Sequence, residues 1–194
     1  MNSPYMGRFQ VTQQYKPGVH DGLDLVGLDS KEVHATISGT VHYAGWQNDY
    51  NHSEGFGQYV CIRGKDGLFY YYGHLSQLNV KTGDLVACTD VIGVEGSTGY
   101  STGNHCHYEI RAQFFKGAKV YDVCSMSGIP NSLGIYDDGY RPSKAHTYSI
   151  NNKDDVKAIQ TALNAHGFNC GAVDGIIGTN TTTAMFNYVA SNLL

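Results

Sequence analysis

The residues Gln58–Tyr72, with the sequence QYVCIRGKDGLFYYY, carry the strongest evidence for the fold class. It contains two runs rich in aromatic and β-branched residues, Gln58–Arg63 and Leu68–Tyr72, and this composition is typical of β-strands. Between them, Lys65-Asp66-Gly67 is a turn signal, so the two runs are expected to pair as an antiparallel hairpin. Similar strand-like runs lie on both sides, at Ala35–Ala44 and His107–Arg111. The region from residue 11 to about residue 111 is therefore predicted to be mainly antiparallel β-sheet.

The composition changes twice after this region. From residue 126 to residue 150 the chain is rich in Ser, Gly, Pro, Asp and Tyr without clear periodicity, which is typical of a linker. Beyond it, Val156, Ile159 and Leu163 recur at helical spacing, and Thr182–Leu193 is a second candidate helix. We therefore predict a mainly β unit over residues 1–125, a linker over 126–150 and a small all-α unit over 151–194.

Charge and composition exclude several classes of protein. The chain has a formal net charge of −4, a pI near 6.1 and no Lys/Arg-dense stretch, which argues against binding to nucleic acid or to anionic membranes. No stretch approaches the ~18 apolar residues of a membrane span, and the N-terminus has no basic segment followed by an apolar run. We therefore expect a protein made in the cytoplasm without a signal peptide, with no nucleic-acid or membrane partner.

Five cysteines are scattered along the chain and are never spaced as CxxC. An odd number in this arrangement favours free thiols over a disulfide framework or a structural four-cysteine zinc site. The chain also has no heptad pattern or apolar stripe that would require a second copy, so we expect a monomer.

Histidines and one aspartate form the candidate site. His105 and His107 lie two apart in a strand-like stretch, so both imidazoles are expected on one face, with Cys106 on the other. A catalytic metal needs about three protein ligands and an open position. His107 can supply one ligand, and His20 and Asp24 can supply two more if the chain bends between them. Spacing alone leaves a surface or structural role for the two paired histidines open.

Three segments in this order resemble the signature of the lysostaphin-like zinc metalloendopeptidases. They are His20–Asp24 (HDGLD), Tyr72–Leu75 (YGHL) and Gly96–Glu109 (GSTGYSTGNHCHYE). The resemblance covers about residues 15 to 111 and implies a lysostaphin-like catalytic domain of antiparallel sheets.

The resemblance also implies a role for each polar residue. His20, Asp24 and His107 would bind one Zn²⁺ per chain and leave a fourth position for water, whose pKa the metal lowers toward about 7. His74 and His105 would be the catalytic histidines. Either could take a proton from the water, hold the oxyanion or protonate the leaving amine, and the division of these roles stays open.

Two positions depart from the family pattern around the last pair of histidines. Asn104 and Cys106 stand where a proline and a leucine are usual. In an alternating strand Cys106 points away from the metal face, so we expect a packing residue, with a thiolate ligand as the alternative.

Three further residues are predicted to bind substrate. Tyr15 lies shortly before the first ligand, and Asn48 and Tyr50 follow Trp46. Loop residues at such positions often line a groove, and an ordinary surface role is the alternative.

The C-terminal part resembles a small three-helix peptidoglycan-binding domain. Its most specific elements are Asp174-Gly175, Gly178 and Thr181. The alternative is a helical cap on the β unit, because about 40 residues bury little apolar surface alone. The resemblance implies bacterial peptidoglycan as the partner, and a tethered binder raises the effective concentration of an enzyme on an insoluble polymer.

Together the two resemblances predict a zinc-dependent endopeptidase that hydrolyses peptide bonds in the stem peptides or cross-bridges of bacterial peptidoglycan. The simplest setting is a phage endolysin, made in the host cytoplasm and released to the cell wall through a membrane hole formed by a separate, holin-type protein. The alternatives are a catalytically inactive relative that binds the wall or activates an amidase, and an unrelated zinc hydrolase.

Overall fold

A computed structural model of the chain describes residues 2–139 and 149–193. The chain divides into two compact units, Met1–Pro142 and Ser143–Leu194. Each unit contains buried hydrophobic side chains that pack together as a core of its own.

The first unit is built on an eight-stranded sheet and a three-stranded sheet. The strands are β1 (Arg8–Gln13), β2 (Leu23–Gly27), β3 (Glu32–His34), β4 (Gly39–Trp46), β5 (Gln58–Gly64), β6 (Phe69–Gly73), β7 (Gln77–Leu78), β8 (Leu85–Val86), β9 (Val91–Val94), β10 (Cys106–Arg111) and β11 (Gly134–Asp137). The large sheet has the order β11-β1-β2-β10-β6-β5-β4-β8 and the small sheet has the order β3-β9-β7. Neighbouring strands are antiparallel throughout. The prediction of a mainly β, antiparallel unit is confirmed.

Residues Gln58–Tyr72 form the β5–β6 hairpin, in which Cys61 is paired with Tyr71. Its turn is organised by Asp66, whose carboxylate accepts a hydrogen bond from the backbone N–H of Leu68 at 3.0 Å. Gly67 has φ +81°, a left-handed conformation that glycine adopts without steric cost. Local turn chemistry therefore helps to fix the register of the two central strands.

Side-chain alternation gives the central strands two different faces. Even-numbered positions of β6 and β10, such as Tyr72 and Tyr108, are buried in the main core. Odd-numbered positions face the other way, where Tyr71 of β6 and Tyr59 of the neighbouring strand β5 belong to a second, aromatic layer. His107 is also on this side and contacts a ring of that layer. Because strand side chains alternate with period two, the same strands supply both the core and the surface that carries the candidate site.

A buried hydrogen-bonded network joins β6 and β10 on the core side. The Thr36 hydroxyl lies 2.7 Å from the Tyr72 hydroxyl and 2.9 Å from the Tyr108 hydroxyl, and the Thr36 N–H donates to the Tyr72 hydroxyl at 2.9 Å. Burial raises the pKa of both tyrosines, so their hydroxyls stay protonated and need polar partners.

We expect Thr36→Val to lower the free energy of unfolding by about 1 to 3 kcal/mol, because valine keeps the shape but leaves buried hydroxyls short of a partner. Denaturant unfolding measures this change. Thr40→Val, at an exposed position of β4, is the matched control and should change the free energy of unfolding by less than about 0.5 kcal/mol. Equal losses in the two variants would show that the network does not stabilise the fold.

Part of the stretch predicted as a linker, residues 126–150, is packed on the first unit. Helix α1 (Val123–Ser127) ends within it, and β11 pairs with β1 to form one edge of the large sheet, for example Tyr136 with Phe9. Ile129 is buried in the main core. Residues 126–139 therefore differ from the prediction, while residues 140–148 of the predicted linker lie outside the described residues.

The described part of the second unit is helical. It contains α2 (Lys153–Ala165) and α3 (Thr179–Leu193), with Leu163, Cys170 and Ala184 in its core. The prediction of a small helical unit after the β unit is confirmed. Neither of these helices, nor any other in the described residues, has the length and apolar character of a membrane span.

Gln160 is the polar centre of this unit. Its side-chain amide donates to Asp174 at 2.9 Å and to the Thr181 hydroxyl at 3.1 Å, and its oxygen accepts from the Gly175 N–H at 2.9 Å. The most specific residues of the C-terminal motif therefore hold the loop between the helices against α2.

Candidate metal centre

Two neighbouring strands of the large sheet bring three side chains together. Asp24 in β2 is paired directly with His107 in β10, and His20 lies in the loop that leads into β2. His107 Nδ1 is 2.9 Å from Asp24 Oδ1 and 3.2 Å from His20 Nε2, and His20 Nε2 is 3.1 Å from Asp24 Oδ1. Within the described residues, this is the one group of His, Cys, Asp and Glu side chains placed to share a metal ion.

The spacing of these atoms fits a single ion. Zn²⁺ bonds of about 2.0 to 2.2 Å in a tetrahedral site separate two ligand atoms by roughly 3.3 Å, close to the three distances above. Gly22 makes room for the cluster, because a Cβ there would lie 2.6 Å from His107 Nε2. The donor set and its packing therefore fit the zinc ion that the sequence predicts.

Each imidazole of the cluster uses its other nitrogen to fix its orientation. His20 Nδ1 lies 2.8 Å from the carbonyl oxygen of Gln14, and His107 Nε2 lies 3.2 Å from a carboxylate oxygen of Glu109. A nitrogen that faces an acceptor carries the proton, so in the neutral rings His20 Nε2 and His107 Nδ1 present lone pairs to the centre. Metal binding requires this protonation state.

In the metal-free protein these groups form a charged pair. Burial by itself would raise the pKa of Asp24, but its side-chain contacts with His107 and His20 hold it well below its usual range. Burial would lower the pKa of His107, but hydrogen bonds to Asp24 and Glu109 raise it to about 9. At neutral pH the metal-free protein therefore keeps a proton on His107 Nδ1, beside the Asp24 carboxylate.

We expect zinc binding to release about one proton per chain near neutral pH, because the ion must displace the proton on His107 Nδ1. The proton competes with the metal below pH of about 9, so zinc affinity should rise with pH up to that point. Titration calorimetry in buffers of different ionisation enthalpy counts the proton. An affinity that stays constant between about pH 6.5 and 8 would exclude this competition.

His74 and His105, the predicted catalytic histidines, face the same cleft. Their ring centroids are 4.6 Å apart, and His105 Nε2 lies 3.6 Å from Asp24 Oδ2. The Nδ1 atoms of His74 and His105 face the carbonyl oxygens of Thr98 and Gly103 respectively, each at 2.8 Å. In its neutral form, each ring therefore carries the proton on Nδ1 and presents Nε2 as an acceptor.

His74 has an unusual backbone conformation, with φ +63°. Residues other than glycine rarely adopt this left-handed region, and strain of this kind is retained where the surroundings enforce it. Its N–H donates to the Phe56 carbonyl at 2.7 Å, which helps to hold the turn. Burial lowers the pKa of His74 to about 4, so the ring stays neutral at neutral pH.

A cleft of about 620 Å³ lies over these side chains, a size typical of ligand-binding sites. Val19, Tyr100 and Phe115 line it and are largely exposed, and the aromatic-layer residues Tyr59 and Tyr71 also line it. These aromatic residues could not be identified as cleft residues from the sequence, because nothing in their local pattern distinguishes a cleft from a core.

The three predicted substrate-binding residues, Tyr15, Asn48 and Tyr50, are not among the described residues that line the cleft. Tyr15 is partly buried against the main core. The Asn48 side chain accepts from the backbone N–H groups of Tyr50 and Asn51, and so orders the loop after β4. The Tyr50 side chain is fully exposed on that loop. Their role in substrate binding stays a prediction.

Cys106 is fully buried in the main core, and burial raises the pKa of its thiol well above the usual value. It is a packing residue, as predicted, and does not belong to the metal-binding group. All five cysteines lie in the described residues and are free thiols.

Glu109 and Arg111 were missed as site residues. Both follow His107 at alternate positions of β10, and period-two alternation alone would place them on the face of the site. Glu109 contacts both His107 and Arg111. Burial would raise the pKa of Glu109, but hydrogen bonds from His107 and Arg111 lower it, so it is ionised at neutral pH.

The fold and the centre define a class of protein: an antiparallel β domain whose two histidines and one carboxylate form a catalytic type of metal site. Residues 18–121 match the model of peptidase family M23, and residues 152–187 match that of a peptidoglycan binding domain. The chain belongs to peptidase family M23.

Curated relatives include lysostaphin of Staphylococcus simulans, 37% identical over 106 residues, which are 54% of this chain and 20% of that protein. Another is the glycyl-glycine endopeptidase ALE-1 of Staphylococcus capitis, 36% identical over 136 residues, which are 67% of this chain and 36% of that protein. The chain thus spans between 20% and 36% of the length of these two relatives.

Two solved structures are similar to the β unit. The catalytic domain of lysostaphin from Staphylococcus simulans has a TM-score of 0.52 at 32% identity, covering 62% of this chain and 91% of that one. A mutant catalytic domain of the prophage-encoded M23 protein EnpA from Enterococcus faecalis has a TM-score of 0.51 at 28% identity, covering 62% and 94%.

Proposed function

We propose that the chain is a zinc-dependent endopeptidase that hydrolyses peptide bonds in the stem peptides or cross-bridges of bacterial peptidoglycan. The observation that carries this proposal is the convergence of His20, Asp24 and His107, with ligand atoms 2.9 to 3.2 Å apart, at an open cleft. Three protein ligands leave room for one Zn²⁺ per chain with an open position. Membership of family M23 and the match of the C-terminal unit to a peptidoglycan binding domain support it.

The residues around the cleft would have different roles in peptide hydrolysis. Zinc, when bound, supplies the Lewis acidity that polarises the scissile carbonyl and acidifies water. The Nε2 atoms of His74 and His105 act as acceptors, so either ring can take a proton from the attacking water. The protonated ring then stabilises negative charge on the carbonyl oxygen or transfers the proton to the leaving amine.

The helical unit would bind peptidoglycan and keep the catalytic unit close to its insoluble substrate. The name of the relative ALE-1 states that it cleaves glycyl-glycine bonds, which makes a glycine-containing cross-bridge the first substrate to test. Tyr15, Asn48 and Tyr50 are retained as proposed substrate contacts.

We infer a phage endolysin as the biological setting, made in the host cytoplasm and acting as a monomer on the cell wall after holin-type release. The similarity to a catalytic domain described as prophage-encoded supports this setting. The net charge of −4 without a Lys/Arg-dense stretch fits a protein whose partner is neither nucleic acid nor an anionic membrane.

Digestion of purified cell walls, followed by mass spectrometry of the released fragments, tests the proposed activity. We expect new amino termini that appear with zinc and disappear after chelation. Reducing sugar ends without new amino termini would overturn the assignment to a peptidase. Binding to walls without any released fragment would instead identify an inactive wall-binding relative.

A further inference from the structure

Strand β10 places three polar side chains in a row on the face that carries the metal centre. His107, Glu109 and Arg111 occupy alternate positions of this strand and therefore point the same way. His107 Nε2 lies 3.2 Å from Glu109 Oε2, and Glu109 Oε1 accepts a hydrogen bond from Arg111 Nε. Glu109 is only 1% exposed. Its carboxylate thus contacts the ring of a metal ligand with one oxygen and a guanidinium with the other.

Arg111 is itself held in place by three contacts. Its guanidinium carbon lies 4.9 Å from the ring centre of Tyr71 and 5.5 Å from that of Phe56, within the range of cation–π attraction. Its Nη1 donates to the carbonyl of Phe115 at 3.4 Å. Because arginine keeps its charge at all physiological pH values, it compensates the buried charge of Glu109.

The two histidines of the metal centre depend on different kinds of partner. His20 Nδ1 faces a backbone carbonyl, that of Gln14, which no side-chain substitution removes. His107 Nε2 faces the side chain of Glu109. An acceptor at Nε2 keeps the proton there and keeps the lone pair of Nδ1 directed to the metal.

We propose that Glu109 is a positioning residue that fixes the ring of His107 for metal binding, and that Arg111 fixes Glu109. This inference rests on the proposed zinc function of the centre. The alternative is that Glu109 only balances the charge of Arg111 inside the fold. The two cases differ in zinc affinity, because charge balance alone would not require contact with a metal ligand.

Zinc affinity, measured by competition with a chelator on the full chain, tests the proposal. Loss of a partner of this kind lowers metal affinity about 10- to 100-fold. We expect Glu109→Ala to lie near the upper end of this range. Glu109→Gln should lie near the lower end, because glutamine keeps an acceptor oxygen for His107 Nε2.

Glu95→Gln is the matched control, since Glu95 is also a buried carboxylate, only 4% exposed. It accepts hydrogen bonds from the Tyr5 hydroxyl at 2.5 Å, the Gly27 N–H at 2.9 Å and Lys31 Nζ at 2.6 Å, and none of these groups belongs to the metal centre. We expect this variant to lose thermal stability and to keep the zinc affinity of the wild type.

Kinetics at saturating zinc give a second readout. Glu109→Ala should lower kcat with little change in KM, whereas Arg111→Ala should also raise KM, because it releases the Phe115 side of the cleft. Unchanged zinc affinity in Glu109→Ala, or in Glu109→Leu if the alanine variant does not fold, would overturn the proposal, because neither side chain offers an acceptor to His107 Nε2. A wild-type protein that binds zinc but cleaves no wall would refute the proposed function alone and leave the affinity test of Glu109 intact.

Discussion

Replacing His107 by alanine is expected to remove both zinc and wall hydrolysis. The substitution deletes one of three ligand atoms and leaves two carboxylates, those of Asp24 and Glu109, without the imidazole that they share. Two ligands do not make a catalytic zinc site. Metal analysis by mass spectrometry, together with the clearing of a turbid wall suspension, measures both losses in the same preparation.

His20→Ala is a second variant for this experiment and should have the same two effects. It is less prone to a folding defect, because His20 is less buried than His107. His34→Ala is the control, since His34 is a buried histidine of the same unit that bonds the Thr89 carbonyl at 2.9 Å. It should retain zinc. Zinc content unaffected by His107→Ala would show that the ligand assignment is wrong.

Replacing either of the other two cleft histidines should separate metal binding from turnover. We expect His105→Ala to retain most of the zinc and to lose about 10²- to 10⁴-fold in kcat, which is the usual contribution of a general acid or base. His74→Asn should behave in the same way. Asparagine is chosen at this position because it tolerates the positive φ of residue 74 better than alanine does.

Steady-state kinetics on a soluble peptide substrate, with zinc content determined for each preparation, decide this prediction. His42→Ala, at an exposed position of β4, provides a histidine control that should keep zinc. Loss of zinc in His105→Ala would make His105 a ligand and not a catalytic group. Full activity in both cleft variants would remove general acid–base catalysis by histidine from the mechanism.

The sequence was sufficient to predict the central hairpin and the convergence of the three proposed metal ligands. The hairpin is a local structure: the runs around Lys65-Asp66-Gly67 alternate in period two, and the turn carries its own signal. The three proposed ligands are distant in the chain, and spacing alone was not sufficient to assign them to one metal site. It was the order of three motifs that predicted the meeting of His20, Asp24 and His107.

The sequence was not sufficient to predict what pairs with the edge of the large sheet. β11 is only four residues long, and its Gly, Ile, Tyr and Asp occur in a stretch whose composition is typical of a linker. It is a strand because β1 offers it an unpaired edge, and that edge is supplied by residues at the far end of the unit. Pairing between such distant segments leaves no local pattern.

The strained backbone conformation of His74 and the residues that line the cleft could not be predicted from the sequence, for a related physical reason. A histidine at positive φ follows no propensity rule, since the surrounding contacts impose it. The aromatic side chains of β5 and β6 have the same composition whether a core or a cleft covers them. Which of the two covers them is decided by the packing of other segments.

The two-faced strand β10 has a consequence for how this domain can diversify. Its six residues divide into two interleaved sets, Cys106, Tyr108 and Ile110 on the face of the main core and His107, Glu109 and Arg111 on the face of the metal centre. Adjacent residues of β10 therefore have different requirements: one set must pack in the core, and the other must suit the metal centre. Substitutions at the even-numbered positions are therefore expected to change thermal stability, and substitutions at the odd-numbered positions are expected to change the chemistry of the site.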